Sequence, residues 1–413
     1  MGAGIIGLSI AYSLTIRGHR VKLIDAGDRL VSGCSSTNAA LLTPAMSYPM
    51  NGPNALMELA RSFLPGDSPL NISLFAAVRS IPWGLSFLSL ANKRHFAYAT
   101  THNYQLAVYS LEKTAAWRQD LSLKYDNSEV GSLKVFRRES DLVAAHKQLE
   151  VLSCSGFVSE LLDVDETCAL EPALKQVADS IAGSLYCPQD EAGDTEMFAH
   201  QLAKQFLARG GTILLNTRAL RVNSSDGAAK SVDTSDGRFH ADHIVLATGH
   251  DINELLSGVG VHLPIMPLKG YTLTINGDST TFPHIPIIDG DTNIVLTPLG
   301  ERLRISGYVE LSGRDLRIPD KRVNTLVTNA KRILPEISEL TYEAELNPWS
   351  GLRPVSADGL PFIGETSTRG LYVCTGHGHL GWTMAAGSAE LLADTVTKKP
   401  CAINAHPYSL DRL

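Results

Sequence analysis

The start of the chain carries the clearest pattern of apolar and polar positions. A nearly continuous apolar run, Ile5 to Ile16, predicts a buried helix. Gly18 follows this run, and glycine is favoured where a helix ends because the closing residue needs a positive φ. Residues 20–25 then form a short run with an apolar centre that ends in Asp25, which predicts a buried strand with an acid at its end.

Further along, helical and alternating patterns divide the chain into the elements of an α/β protein. Apolar positions at helical spacing predict helices over residues 80–90, 103–125, 140–154, 195–209, 322–334 and 384–397. Short apolar or alternating runs predict strands over residues 131–136, 181–186, 212–216, 220–223, 242–249, 264–275, 294–296, 303–308 and 371–374, and a hairpin over 228–240. A strand, a glycine-rich turn and a helix near the carboxyl end repeat the arrangement of the start. We therefore expect one sheet to be assembled from distant parts of the chain.

Three glycines before and within the first helix form a dinucleotide-binding fingerprint. Gly2, Gly4 and Gly7 fit the spacing G-x-G-x-x-G, and Asp25 lies about 20 residues further on. The first glycine allows a tight turn, the second lets the backbone approach a pyrophosphate, and the third lets helix and strand pack closely. The first N–H groups of the helix would point at the phosphates, and Asp25 would bind a ribose hydroxyl pair.

The fingerprint normally follows a buried strand, yet only Met1 precedes Gly2. The first strand of the sheet is therefore expected to be missing from this sequence. Either the true start lies upstream, or the protein is a remnant that keeps the fold without holding the cofactor. Because the other motifs survive, the sequence favours an upstream start.

Composition narrows the class of protein. The 413 residues are 44% hydrophobic and 19% charged, as in an ordinary globular enzyme of two domains. A net charge of −7 argues against a nucleic-acid partner. No apolar run reaches the ~18 residues of a membrane span. The six cysteines lack C-x-x-C spacing and partner histidines, which predicts reduced thiols, no metal and a cytoplasmic location.

Three further segments are more specific than the glycines. They are residues 267–273, with Pro-Leu-Lys-Gly-Tyr, residues 349–361, with Trp-Ser-Gly-Leu-Arg-Pro, and residues 375–383, with Thr-Gly-His-Gly-His-Leu-Gly-Trp-Thr. Through them, and over nearly its whole length from Gly2, the chain resembles the FAD-dependent D-amino acid oxidase superfamily. The resemblance is greatest to the bacterial D-amino acid dehydrogenase small-subunit type.

The resemblance implies a flavoprotein of two domains in the α/β class. A discontinuous Rossmann-like FAD-binding domain would take residues 1–90, 137–262 and 348–413. An α+β substrate domain with an antiparallel sheet would take residues 91–136 and 263–347. Some relatives tether flavin through a cysteine or histidine, but residues 349–361 contain no cysteine, so we expect non-covalent FAD.

The resemblance also assigns residues to FAD. Ser35 and Asn38 lie in a small polar segment that would run along the pyrophosphate and flavin, although Ser35 could equally cap a helix. Ala219 would offer a backbone contact near the adenine. Thr248 and Gly249 would form a second turn near the cofactor. The flavin end would be met by Gly376, Gly378, Leu380, Gly381, Trp382 and Thr383, with the following helix dipole favouring negative charge on the reduced ring.

Three residues are candidates for the substrate. The resemblance implies that Arg353 pairs with the substrate carboxylate, for which a planar guanidinium is suited. Tyr271 could place its hydroxyl on the substrate or could be a packing tyrosine between strands. His377 could act as a base, shape its loop or contact the flavin.

The implied reaction is the oxidative deamination of a D-amino acid to a 2-oxo acid and ammonia, with hydride transfer to flavin N5. A cyclic or N-substituted amino acid such as D-hydroxyproline, sarcosine or glycine is an alternative substrate. Electrons would pass to O₂ or to a respiratory quinone or electron-transfer partner. The latter would place a cytoplasmic protein in peripheral contact with the inner face of the cell membrane.

Overall fold

The structure is a computed structural model that describes residues 1–53, 55, 70–72, 80–337 and 346–412. The remaining parts of the predicted domains, residues 54, 56–69, 73–79, 338–345 and 413, lie outside the described residues, as does the side chain of Cys154.

The helices of the described residues agree closely with the apolar periodicity. They are α1 (Ile5–Ile16), α2 (Ile81–Ser89), α3 (Lys93–Asp120), α4 (Glu139–Leu149), α5 (Val164–Leu170), α6 (Thr195–Ala208), α7 (Ile252–Leu256), α8 (Asp320–Lys331) and α9 (Ala385–Val396). The helix predicted over 103–125 begins ten residues earlier, because Asn92 caps it by accepting from the His95 N–H at 3.0 Å.

The strands fall into one large sheet and several small ones. They are β1 (Lys22–Ile24), β2 (Leu41–Leu42), β3 (Leu70–Ile72), β4 (Ser132–Phe136), β5 (Glu160–Leu162), β6 (Gly183–Cys187), β7 (Glu191–Ala192), β8 (Thr212–Leu214), β9 (Ala219–Ser225), β10 (Ala228–Thr234), β11 (Gly237–His240), β12 (Ile244–Leu246), β13 (Ile265–Asn276), β14 (Ile287–Asp289), β15 (Val295–Leu299), β16 (Arg302–Leu311), β17 (Asn347–Ser356), β18 (Phe362–Glu365) and β19 (Leu371–Thr375).

The large sheet has the order β17-β13-β16-β15-β14-β4-β6-β5, and β3 pairs with β16. Its pairs are antiparallel except β14 with β4 and β16 with β3, so the sheet is mixed. It also takes β3, β5, β6 and β17 from ranges that the predicted boundaries gave to the dinucleotide-binding domain. The composition of the sheet therefore differs from those boundaries at four strands.

The dinucleotide-binding part is assembled from both ends of the chain, as the pattern predicts. β1 pairs with β8, and β12 pairs with β19, both in parallel. Met1 and Gly2 lie between these two pairs. The Gly2 N–H donates to the Ile24 carbonyl at 2.9 Å, and the Ala247 N–H donates to the Met1 carbonyl at 2.8 Å.

Helices α1 and α9 pack against each other and share a buried ionic cluster. Arg17 contacts Glu390 at 2.9 Å and Asp394 at 2.7 Å, and the three side chains are 11–13% exposed. Ser13 donates to the same Glu390 at 2.7 Å. The cluster joins the helix of the fingerprint to the helix that follows residues 375–383, so the two glycine-rich turns are held in one unit.

Replacing Arg17 by alanine should therefore destabilise the fold. Two largely buried carboxylates would lose their shared cation, a change that costs about 3 kcal/mol in comparable buried pairs. We expect the Tm of Arg17→Ala to fall by several degrees in a thermal melt followed by circular dichroism. Arg238→Ala is the matched control, because the Arg238–Asp233 pair is exposed and should leave the Tm unchanged. Equal Tm values for both variants would contradict the role given to the cluster.

Candidate active site

The fingerprint glycines are required by close backbone contacts. Gly2 has φ +96°, and a Cβ there would lie 2.3 Å from the Ala247 carbonyl oxygen. A Cβ at Gly7 would lie 1.8 Å from the carbonyl oxygen of Gly2. Any side chain at either position would push α1 away from the turn, so the two glycines fix where the amino end of α1 points.

That amino end opens toward a cavity. Gly4 precedes α1 without a capping side chain of its own, and the Ile5 N–H donates instead to Ser35 Oγ at 3.1 Å. Ile5, Ile6 and Ser35 all line the cavity. The amino end of a helix attracts anions, because its first N–H groups lack partners within the helix.

Asp25 lies behind this turn, as expected from its spacing. Its carboxylate accepts the Ala3 N–H at 2.5 Å and the Gly27 N–H at 2.7 Å. A carboxylate has about four lone-pair sites, so two acceptor sites are left for a ligand. The Thr217 N–H donates to the Asp25 carbonyl, which brings the chain leading to Ala219 beside the same point.

A second turn approaches the fingerprint from β12. Thr248 follows β12, and its Oγ1 is buried without a hydrogen-bond partner. Gly249 has φ +61°, and its carbonyl accepts from Thr375 Oγ1 at 2.9 Å. A buried hydroxyl without a partner is costly, so Thr248 is suited to a polar ligand at this turn.

The cavity itself has a volume of about 1070 Å³. It runs from the start of α1 and residues 34–50 to one face of the large sheet, with α2 and residues 377–382 completing its wall. None of the described residues that line it is Asp or Glu, whereas Lys93, Lys134 and Arg353 are cationic. The cavity is therefore electrostatically suited to anionic groups.

Arg353 lies across the large sheet inside this cavity. It stands on β17, and its Nη1 donates to the Tyr308 carbonyl on β16 at 3.3 Å. To reach it, the guanidinium passes over Gly270 on the intervening β13, where a Cβ would lie 2.1 Å from Nη1. No described carboxylate pairs with Arg353, and burial lowers the pKa of its guanidinium.

A distortion in β16 contributes to the place where the Arg353 guanidinium lies, which we call its seat. Tyr308 has φ +62°, which is rare for a bulky residue, and the pairing of β13 with β16 shifts register at this point. A bulge re-aims the groups next to it, and the Tyr308 carbonyl is the group that Arg353 reaches. Gly270 and the bulge together hold the guanidinium against the sheet.

The structure places Tyr271 away from this cavity. Successive residues of a strand face opposite sides of a sheet, so Leu268, Gly270 and Thr272 line the cavity while Tyr271 faces the other side. There Tyr271 is 1% exposed and donates to Glu310 at 2.9 Å. The packing interpretation fits this position, and the expected contact of its hydroxyl with a substrate does not.

His377 is likewise turned away from the ligand space. His377 lines the cavity, but its Nε2 lies 3.0 Å from Ser388 Oγ on α9. Burial lowers the pKa of His377 to about 3, which leaves it neutral and weakly basic. This geometry supports the interpretation that His377 shapes the loop rather than acting as a base.

The other residues of the segment 376–383 divide between wall and core. Gly378, Gly381 and Trp382 line the cavity, whereas Leu380 belongs to the hydrophobic core. Gly376 has φ +85°, and Thr383 Oγ1 accepts the Thr43 N–H at 3.1 Å. The helix that follows, α9, begins at Ala385, one residue after its predicted start.

Ser35 and Asn38, predicted to lie along the pyrophosphate and flavin, both line the cavity, but the Asn38 side chain is already hydrogen-bonded. Its Nδ2 donates to Thr195 Oγ1 at 2.8 Å, and its Oδ1 accepts the Ala40 N–H at 2.8 Å. The Asn38 side chain thus stabilises the conformation of the polar segment, and much of its hydrogen-bonding capacity is already used.

Sequence reasoning missed His379, which also lines the cavity. Its Nε2 lies 2.9 Å from the Met46 carbonyl, and its ring centroid is 6.3 Å from that of Tyr48. The Gly-His-Gly-His sequence contains two histidines, of which the sequence analysis considered only His377. The hydrogen-bond partners of the two rings distinguish them, and the sequence carries no signal for those partners.

These features fit an FAD molecule. A glycine cradle lies at the start of α1, a buried hydroxyl without a partner lies at Thr248, and an acid-free cavity leads from Ser35 toward Arg353. The carboxylate at Asp25 retains acceptor sites for a ribose. Among the described residues, no group of three or more His, Cys, Asp or Glu side chains has metal-binding geometry.

Comparison with known proteins agrees with this fit. Residues 1–395 match the DAO family, described as FAD dependent oxidoreductase. A D-amino acid dehydrogenase of Sinorhizobium medicae is 35% identical over 415 residues, covering 100% of this chain and 98% of that protein. One of Vibrio atlanticus is 32% identical over 415 residues, again covering 100% of this chain and 98% of that protein.

Solved structures with the same fold include two flavoenzymes of distant sequence. Glycine oxidase from Geobacillus kaustophilus has a TM-score of 0.76 at 24% identity, covering 100% of this chain and 97% of its own. L-proline dehydrogenase from P. horikoshii has a TM-score of 0.76 at 18% identity, covering 99% and 95%. At these identities the two structures establish the fold and not the substrate.

Gly270→Ala tests the seat of Arg353. The new methyl group would occupy the place of the guanidinium, so the side chain must move off the sheet. We expect the Kd for a small carboxylate such as pyruvate to rise roughly tenfold, as for the loss of a charge-assisted hydrogen bond, in calorimetric titration. Gly258→Ala is the control, because its Cβ would come no closer than 3.7 Å to any neighbour. An unchanged Kd in Gly270→Ala would rule out the seat.

Proposed function

Because the chain belongs to the DAO family of FAD-dependent oxidoreductases, we propose that it oxidises D-amino acids to 2-oxo acids and ammonia. The D-amino acid is proposed from the two relatives, which match this chain over its full length. The site adds an independent argument from its own residues.

The observation that carries the proposal is that Arg353, in a cavity whose described lining has no Asp or Glu, lacks a carboxylate partner among the described residues. A buried guanidinium without a carboxylate is costly, and a ligand carboxylate would remove that cost. The planar fork can donate two parallel hydrogen bonds to a carboxylate, which fixes the orientation of the ligand as well as its position. A molecule with an α-carboxylate is the ligand that this geometry favours.

The charges around the site also bear on the amine. Lys93, Lys134 and Arg353 disfavour an ammonium group, and no Asp or Glu among the described lining residues offsets them. The amino acid would therefore react with a neutral amine, whose lone pair forms the C=N bond as the Cα hydrogen leaves with its electron pair. When bound, FAD supplies the acceptor for that hydride. Water then adds to the imine carbon, and ammonia leaves.

The walls near Arg353 are suited to the substrate side chain. Leu268 and Leu311 contact one another in a small apolar cluster, and Met50 and Trp83 pack against it. The Trp83 indole N–H donates to the Val355 carbonyl at 3.1 Å, two residues from Arg353, so the ring is held in place. These walls exclude water and orient the substrate, effects that supply much of the rate in positioned hydride transfers.

An absorbance spectrum tests the function directly. The purified chain should show a visible flavin band that bleaches without oxygen on addition of D-alanine or D-proline. Arg353→Ala should keep the band but raise KM at least a hundredfold, and Arg353→Lys should restore little, because lysine lacks the fork. Arg138→Ala, at an exposed position, should behave as the unaltered protein. A flavin band that no D-amino acid bleaches would refute the proposed reaction.

For the electron acceptor, we propose a respiratory carrier at the membrane rather than O₂. Support comes from α2, beside the cavity, where Ile81 is 53% and Leu85 is 66% exposed, and from the adjacent Lys93. Such a face is suited to lie on an anionic lipid surface. Among the described residues, none of the helices combines the length and hydrophobicity needed to cross a bilayer.

The acceptor can be identified from the reduced protein. After anaerobic reduction by D-alanine, a soluble quinone analogue should restore the flavin band much faster than air does. Replacing Leu85 by serine should weaken co-sedimentation with anionic vesicles without changing turnover with the soluble quinone. Rapid recovery in air alone would make the protein an oxidase instead.

A further inference from the structure

His379 lines the cavity, and its ring nitrogens have no role in the reaction proposed above. Its Nε2 lies 2.9 Å from the Met46 carbonyl, and a carbonyl can only accept. The hydrogen of the neutral ring is therefore on Nε2, and Nδ1 carries a lone pair. Nδ1 has no partner among the described residues.

The backbone brings this ring to the strand of Arg353. An isolated bridge pairs Val355 with His377, each two residues from the side chain in question. Gly378 follows with φ +57°, and the turn Gly378–Leu380 carries His379 into the cavity wall. The charge of Arg353 is close enough to act on the imidazole.

The surroundings keep this ring neutral. Burial lowers the pKa of His379, the Arg353 charge lowers it further, and the bond to Met46 opposes both. Tyr48 packs beside the ring, and none of the described residues lining the cavity has a carboxylate that could stabilise an imidazolium. At neutral pH the Nδ1 position is therefore an acceptor and not a donor.

We propose that Nδ1 of His379 accepts a hydrogen bond from the neutral amine of the substrate, while Arg353 holds the carboxylate. This assignment rests on the proposed function. The two contacts hold both polar groups of the Cα atom, so the apolar wall at Trp83 needs to receive only the side chain. Three contacts at one carbon decide whether its single hydrogen faces the flavin, and therefore which enantiomer reacts.

Two kinds of variant separate this role from simple packing. His379→Leu and His379→Ala remove the acceptor. His379→Asn keeps one, because its Oδ1 is bonded to Cγ as Nδ1 is in histidine. With D-alanine, the Leu and Ala variants should raise KM roughly tenfold, and the Asn variant should recover most of that loss.

Pyruvate provides the matched ligand, because it has the carboxylate but no amine. Its inhibition constant should change less than twofold in the Leu and Ala variants, whereas Arg353→Ala should weaken both pyruvate and D-alanine. His200→Asn, exposed on α6, is the control histidine. In the unaltered protein kcat/KM should fall at low pH as His379 becomes a donor, and this limb should vanish in the Leu variant.

Two results would overturn the assignment. One is an unchanged KM for D-alanine in the Leu and Ala variants. The other is an equal loss for D-alanine and pyruvate, which would mean that His379 only supports Arg353 or the chain at Met46. Both differ from failure of the proposed function, in which the unaltered protein itself would not be reduced by D-alanine.

Discussion

The site depends on one constraint, the Arg353 guanidinium, which lies against the large sheet without a carboxylate partner among the described residues. The Arg353 guanidinium crosses β13 over Gly270 and ends at the Tyr308 carbonyl. Burying such a charge is unfavourable, and one long hydrogen bond to a carbonyl offsets little of that cost. The fold tolerates it because the cavity in front of the guanidinium can receive an anion, so part of the stability of the site is left for the ligand to supply.

The same constraint explains two departures from regular structure in the large sheet. Gly270 in the middle of a twelve-residue strand weakens that strand, and a tyrosine at φ +62° carries strain. Neither is needed to build a sheet. Both are needed to let a long side chain lie flat and reach a carbonyl two strands away. Local conflicts of this kind are expected where function and not folding determines the residue.

Residues that lie close together in the chain have different roles at this site. His377 and His379 lie two residues apart, yet one bonds to Ser388 in the core and the other faces the cavity. Along β13, Gly270 faces the cavity while the adjacent Tyr271 bonds to Glu310 behind the sheet. In both cases one or two residues along the chain separate a residue that can touch a ligand from one that supports the fold.

The sequence by itself determined the local elements and the cofactor chemistry. The sequence pattern predicts the places of α1, its glycines and Asp25 in the fold. Helix packing and positive φ restrict which residues can occupy those places. The segment containing Arg353 was recognised by its resemblance to a known family. Only the tertiary structure decided which strands join the large sheet, that Tyr271 faces away from the cavity, and that the His377 ring bonds to Ser388 while the His379 ring bonds to the Met46 carbonyl. Those outcomes depend on strand register and ring direction, which are set by contacts between residues far apart in the chain and leave no local pattern in it.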